Sequence, residues 1–207
     1  MNAPQAFHPL ARLLHWTMAV LILAMLFVGV GMVTTVSEKH QWLLALHRPL
    51  GAAIFVLALI RIGVRLRFKP PALPEDMPAL MQFVAHASHW VLYGMMLAMP
   101  LIGWAMLSAG GYPIMLGHAW HLPPIVPANG VLFAWLREAH RYVAYLFFLT
   151  ILGHMGAAIY HALIRRDEVF PSMTVGFPHR DDELASPRNL PADEGHPAAG
   201  VTPPTSP

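Results

Sequence analysis

Cysteine is absent from these 207 residues, which removes disulfides, thiolate zinc sites, iron–sulfur clusters and thioether-linked haem from consideration. Charge is scarce as well. Asp, Glu, Lys and Arg make up 12% of the chain, about half the share of a soluble protein. A formal net charge of +2, scattered along the chain, makes no nucleic-acid surface, so no nucleic-acid partner is expected. There is no internal repeat, no phosphate-binding glycine loop, no nucleophile–base pair and no carboxylate inside any long apolar stretch. What is abundant is apolar side chain, 56% of the residues, with a mean hydropathy of +0.50, together with 13 histidines. An imidazole at membrane depth is costly and usually functional, so the histidines are where chemistry is to be sought.

The apolar residues group into four stretches, and an all-α, integral membrane four-helix bundle is the predicted fold. The stretch from Leu13 to Ser37 has no charged side chain over 25 residues. That exceeds the roughly 20 that cross a hydrocarbon core and is too long for the apolar part of a cleaved leader. The first span is therefore placed at about Leu10 to Val33. A second runs from about Leu44 to Leu66, with Arg48, Arg61 and Arg65 near its ends, where long arginine stems can snorkel. Between Asp76 and Arg137 lie 60 uncharged residues. They hold a third span at about Leu80 to Leu107, a break at Gly110-Gly111, and a Pro-, Gly- and aromatic-rich loop to Gly130. The fourth span runs from about Leu132 to Ile164 and stops at Arg165-Arg166.

Residues 1–170 thus form one membrane domain, and residues 171–207, rich in Pro, Asp, Glu and Ser without apolar period, read as a disordered cytoplasmic tail. Lys and Arg divide nine to four between the two faces. By the excess of Lys and Arg on the inner face, both termini are cytoplasmic and the chain is multi-pass.

Depth sorts the histidines. His15 lies near the inner end of the first span, and His47 near the outer end of the second. His140 and His154 are 14 residues apart on the fourth, a rise of about 21 Å and close to four turns, so they share one face at two depths. An outer pair, His47 with His140, and an inner pair, His15 with His154, then face each other across the bundle. Two imidazoles at one depth on different helices suit the two axial positions of a b-type haem, whose macrocycle needs apolar walls. Spacing leaves alternatives open at the inner level. His161 is two turns past His154 on the same face, and His89, with His86 one turn before it, is at the same end.

Motifs in matched order accompany these histidines: His15-Trp16, Leu46-His47-Arg48 with Gly51, Arg61-x-x-x-Arg65, Ser88-His89-Trp90-x-x-Tyr93, Ala139-His140, and Gly153-His154 followed by His161. Over about residues 8 to 173 the chain resembles the bacterial cytochrome b561 family. That resemblance implies a four-helix bundle in the bacterial inner (plasma) membrane holding two haem b groups without covalent attachment. It places the axial ligands at His15, His47, His140 and His154, in the pairs His15/His154 and His47/His140. His89 and His161 then fall to supporting or quinone-site roles.

Other residues fit around this core. Arg12, Arg61 and Arg65 at the inner level, and Arg48, Arg137 and Arg141 at the outer, are candidates to pair with haem propionates, since guanidinium meets carboxylate bidentately; topology-setting charge and lipid-headgroup contact are the other reading. Gly51, one turn after His47, admits a macrocycle or simply packs a helix. Met95, Met96 and Met99 read as packing or lipid-facing residues, and Trp16, Trp42, Trp90 and Trp135 as interfacial anchors. His118 and His121 have a helix-like spacing that gives a weak metal-site candidate.

Two haems at different depths make a path for single electrons. The expected function is a di-haem cytochrome that moves electrons between a periplasmic-side donor and the quinone pool, with ubiquinone or a similar quinone as partner at the inner cluster of Arg12, His89, His154 and His161. The resemblance also admits superoxide as the outer electron source, with Lys39, His40, Arg48 and Arg141 forming a mildly positive mouth. The alternative is a membrane-anchor cytochrome b subunit of a separate dehydrogenase. A haem-free histidine-rich transporter is the third reading, and it predicts a colourless preparation.

Overall fold

The structure, a computed structural model, describes residues 6–68, 70–71, 76–116 and 120–174. It is mostly helical. Four long helices carry it: α1 (Pro9–Thr34), α2 (Glu38–Arg67), α3 (Ala79–Ala109) and α4 (Gly130–Ile159). All four are long and apolar enough to cross a membrane.

Local chemistry sets their ends. Pro9 opens α1 and the His8 side chain accepts from the Leu10 N–H, a use of the position where a missing N–H costs nothing. In α2 the first turn carries Glu38 and the last Arg65 and Arg67, charges that complement the helix dipole. Asn129 caps α4, its Oδ1 accepting from the N–H groups of Val131 and Leu132 at 3.0 Å. α3 ends where Gly111 takes a left-handed φ of +68°. The preceding Gly110 has no room for a side chain, since a Cβ there would stand 2.5 Å from the Tyr112 ring. Pro49 and Pro100 sit inside α2 and α3, where each removes one N–H from the ladder.

Packing runs in chain order, α1 on α2, α2 on α3 and α3 on α4. A core of Met18, Ile54, Ala58, Tyr93, Met95, Met96 and Phe147 joins all four helices. Met95 and Met96 are therefore packing residues, and Met99 leans on the same cluster. The outside is as apolar as the core. Phe27, Val33, Leu66, Trp90 and Ile164 are each more than two-thirds exposed, a surface that water does not tolerate over such an area but hydrocarbon does. Trp16, Trp42 and Trp135 are exposed with them.

Three features depart from the sequence expectation. First, the long loop after α3 is not irregular throughout. Ile114–Leu116 (β1) and Trp120–Leu122 (β2) pair antiparallel, with Met115 opposite His121. The fold is thus mostly rather than wholly helical, and β1 packs on α2. His121 sits on a strand, which cancels the helix-like spacing read between it and His118; His118 lies outside the described residues. Second, α4 closes in a π-helical turn, Tyr160–Arg165, followed by Arg166 in the left-handed region at φ 52°. Third, the chain beyond it is docked. Pro171–Met173 forms a 3-10 turn, and this strap is tied to the start of α1. The Phe7 N–H donates to the Ser172 carbonyl at 3.1 Å, Arg12 Nη1 to the Thr174 carbonyl at 2.8 Å and Trp16 Nε1 to the Met173 carbonyl at 2.9 Å. The proposed tail boundary at residue 171 falls inside this strap, and residues 175–207 lie outside the described residues. The beginning of α1 and the end of α4 consequently meet at one end, called here the terminal end; the hairpin marks the opposite, loop end.

Candidate functional site

The four histidines singled out by depth come together in two pairs. His15 on α1 faces His154 on α4 with ring centres 6.2 Å apart and planes at 66°. His47 on α2 faces His140 on α4, also at 6.2 Å, with planes at 62°. Fourteen residues of one continuous helix, α4, separate the two levels, about 21 Å along the axis. The helices joined in this way are not the ones that pack. α4 lies closely against α3, and α1 against α2, whereas α1 with α4 and α2 with α4 are outside the main helix contacts. Each imidazole pair therefore joins helices outside the main helix contacts.

At the loop-end level, Nδ1 of His47, Nδ1 of His140 and Nε of Arg48 are buried with no hydrogen-bond partner among the described residues. A buried polar nitrogen left so costs about 1–3 kcal/mol, and three at one imidazole pair ask for a group that the described residues do not supply. Gly103 on α3 adjoins the pair: a Cβ there would stand 3.5 Å from Cε1 of His140. No sequence signal distinguished Gly103 from the other glycines. Gly51, which had been one, faces Met25 instead, at 3.6 Å from a Cβ, so helix packing accounts for it.

The terminal-end level is more heavily furnished. Arg61 donates from Nη2 to Nδ1 of His15 at 3.0 Å, from Nε to the Tyr93 hydroxyl at 3.1 Å and from Nη1 to the Ala11 carbonyl at 3.4 Å. Arg65 lies over the Tyr93 ring, 5.6 Å from its centre. Among the described residues Arg12, Arg61 and Arg65 make no ion pair. Arg141, by contrast, pairs with the exposed Glu138 at 2.5 Å, and a pair that open to solvent is worth little.

His89 stands 5.5 Å from His154, ring centre to ring centre, and its Nδ1 donates to the Ala85 carbonyl at 2.7 Å. It reaches His154 from α3, across the closely packed side of α4, where no gap opens. His86 donates to the Gln82 carbonyl and is exposed. His161 goes elsewhere. The π turn and the chain reversal after it bring Asp167 to His161, at 2.7 Å. The grouping of Arg12, His89, His154 and His161 is thus divided: His89 stays beside His154, Arg12 binds the strap, and His161 joins a carboxylate that sequence spacing did not bring near. Among the described residues no cluster of three or more His, Asp or Glu side chains can hold a metal ion by itself. His121 belongs to none, and lines a loop-end cavity with Ser108 and Tyr112.

Comparison with known proteins places this arrangement. The description "Prokaryotic cytochrome b561" matches residues 6–176, nearly the whole described structure. The chain is 28% identical over 162 residues to the probable superoxide oxidase CybB of Yersinia pestis, covering 77% of this chain and 90% of that protein. It is 27% identical over 164 residues to cytochrome b561 homolog 1 of Escherichia coli strain K12, covering 77% and 92%. To cytochrome b561 homolog 2 of the same organism it is 25% identical over 176 residues, covering 83% and 93%. With four helices able to span a membrane and a match running from one end of the bundle to the other, this chain is a multi-pass membrane protein of the prokaryotic cytochrome b561 family, a family that implies haem b.

Proposed function

We propose that the protein is a di-haem b-type cytochrome of the bacterial inner membrane, carrying single electrons between a periplasmic-side donor and the quinone pool. The observation that supports this most is the pair of imidazole pairs, each 6.2 Å across and each joining helices outside the main helix contacts. A haem iron, if bound, would be held between the two rings of each pair. The donor set fits as well: two neutral imidazoles and no third protein ligand suit an iron whose other four positions a macrocycle fills.

On this reading His15 and His154 hold the inner haem, and His47 and His140 the outer one. When bound, the haems supply one-electron chemistry at two depths; the chain supplies position, charge and dryness. Arg61 has a particular part. Its guanidinium, which donates to Nδ1 of His15, would serve as the donor for a propionate if His15 held a haem. Arg65 and Arg12 add positive charge at the same level, and Arg48, whose Nε is buried and unpartnered, serves the outer level. Both termini face the cytoplasm, a reading that the Lys and Arg distribution supports. Quinone binds at the inner level, within reach of His89 and His161, and superoxide is the proposed outer reductant, by analogy with the relative named as a probable superoxide oxidase.

The test is a reduced-minus-oxidised spectrum with pyridine-haemochrome quantitation on purified protein. Two b haems per chain are expected. A folded, haem-supplied preparation without absorbance would end the cytochrome reading.

A further inference from the structure

His161 is the one histidine or charged residue among the described residues that is buried, at 8% exposure. The local fold explains its partner. The π turn from Tyr160 to Arg165 and the left-handed Arg166 reverse the chain, which returns Asp167 to the imidazole six residues back. Asp167 Oδ2 meets His161 Nδ1 at 2.7 Å and Arg165 Nε at 2.9 Å, and Arg165 Nη2 reaches Asp76 at 2.5 Å. Exposure rises along this series, from 10% for the His161 side chain and 14% for Asp167 to 77% for Asp76. Tyr160, edge-on at 5.7 Å, is the other titratable neighbour. The carboxylates of the described chain are Glu38, Asp76, Glu138, Asp167 and Glu168; Glu38 and Glu138 lie toward the loop end of α2 and α4, so Asp76, Asp167 and Glu168 are the acids at the terminal end.

We propose that His161 delivers protons to the quinone at the terminal end, with Asp167 as its positioning residue; this rests on the quinone reading above. A quinone that takes two electrons also gains two protons. Each passes from Nε2 of His161 to a quinone oxygen. The neutral ring keeps its Nδ1–H on Asp167 and regains a proton at Nε2 from water before the second transfer. Arg165 keeps the Asp167 carboxylate aimed, and Asp76 fixes Arg165.

The experiment uses full-length, haem-loaded protein in lipid nanodiscs, reduced beforehand and then mixed with either decylubiquinone or ferricyanide, which needs no proton. In His161→Gln and Asp167→Asn, oxidation by the quinone is expected to slow by about 10-fold or more and to quicken as pH falls, because protons then come from bulk water. Oxidation by ferricyanide stays at the wild-type rate, and Asp167→Glu recovers most of the quinone rate. Unchanged quinone rates with a wild-type pH profile overturn the inference and leave the quinone reading standing. Quinone and ferricyanide rates falling together also overturn it, since the pair is then structural. A wild-type protein that quinone does not oxidise removes the quinone reading and the inference with it.

Discussion

Gly103 shows how much a single position can decide at the loop-end pair. A Cβ there would lie 3.5 Å from the His140 ring, ordinary contact, so Gly103→Ala is expected to keep two haems. Gly103→Leu adds branches that must enter the space of the ring or of the macrocycle, where overpacking typically costs 1–3 kcal/mol. It is expected to yield one haem per chain, the inner one, by haemochrome quantitation. The ligand variants have the same readout. His47→Ala and His140→Ala should each lose the outer haem, and His15→Ala and His154→Ala the inner. His89→Ala should keep both, because its ring meets His154 across the packed α3–α4 side. If the His89 variant loses a haem while the His15 variant retains two, the inner pair is His89 with His154 instead.

The helices were the most legible part of the chain and their connections the least. Lengths of uncharged sequence gave α1 and α3 to within two residues, because a span is fixed by bilayer thickness and little else. α2 begins at Glu38 rather than Leu44, since the charges of Glu38 and Lys39 read as loop although the first turn of a helix accommodates them. The histidine pairs were legible because equal depth is a one-dimensional property. Gly103, the π turn and the Asp167 contact were not, because each depends on rotation about a helix axis or on a chain reversal. The strap belongs to this second class, and its docking is checkable because the chain has no cysteine. The Phe7 N–H and Ser172 carbonyl are 3.1 Å apart, which brings the two backbones within the usual reach of a disulfide. Phe7→Cys with Ser172→Cys is expected to cross-link on mild oxidation, seen as a protease-nicked chain that stays joined until reduced. Cross-linking no faster than in a Phe7→Cys, Leu116→Cys pair, whose members lie at opposite ends of the bundle, would show the strap to be undocked.

The two pairs make a directional claim about the whole molecule. The His47/His140 pair sits on the loop side of the His15/His154 pair by about 21 Å along α4, so on the proposed di-haem reading an electron entering from the loop end meets the outer haem first. Removing one haem should therefore disable opposite halves of the path. In proteoliposomes with the loop end outward, superoxide generated outside is expected to reduce the outer haem of His154→Ala at the wild-type rate, yet that electron should not reach quinone. In His140→Ala the same superoxide should leave the inner haem oxidised, while quinol reduces it normally from the terminal end. Stopped-flow absorbance in the Soret band reads both events. The two variants are distinguishable only if the haems act in series, since a single haem serving both substrates would give two equally active or two equally dead proteins. Sidedness has its own check: a green fluorescent protein fused after Pro207 should fluoresce, and an alkaline phosphatase inserted at Val36 should be active, if the terminal end is cytoplasmic. A reversed pattern would turn the bundle over and exchange the donor and acceptor sides, while leaving the serial order of the haems intact.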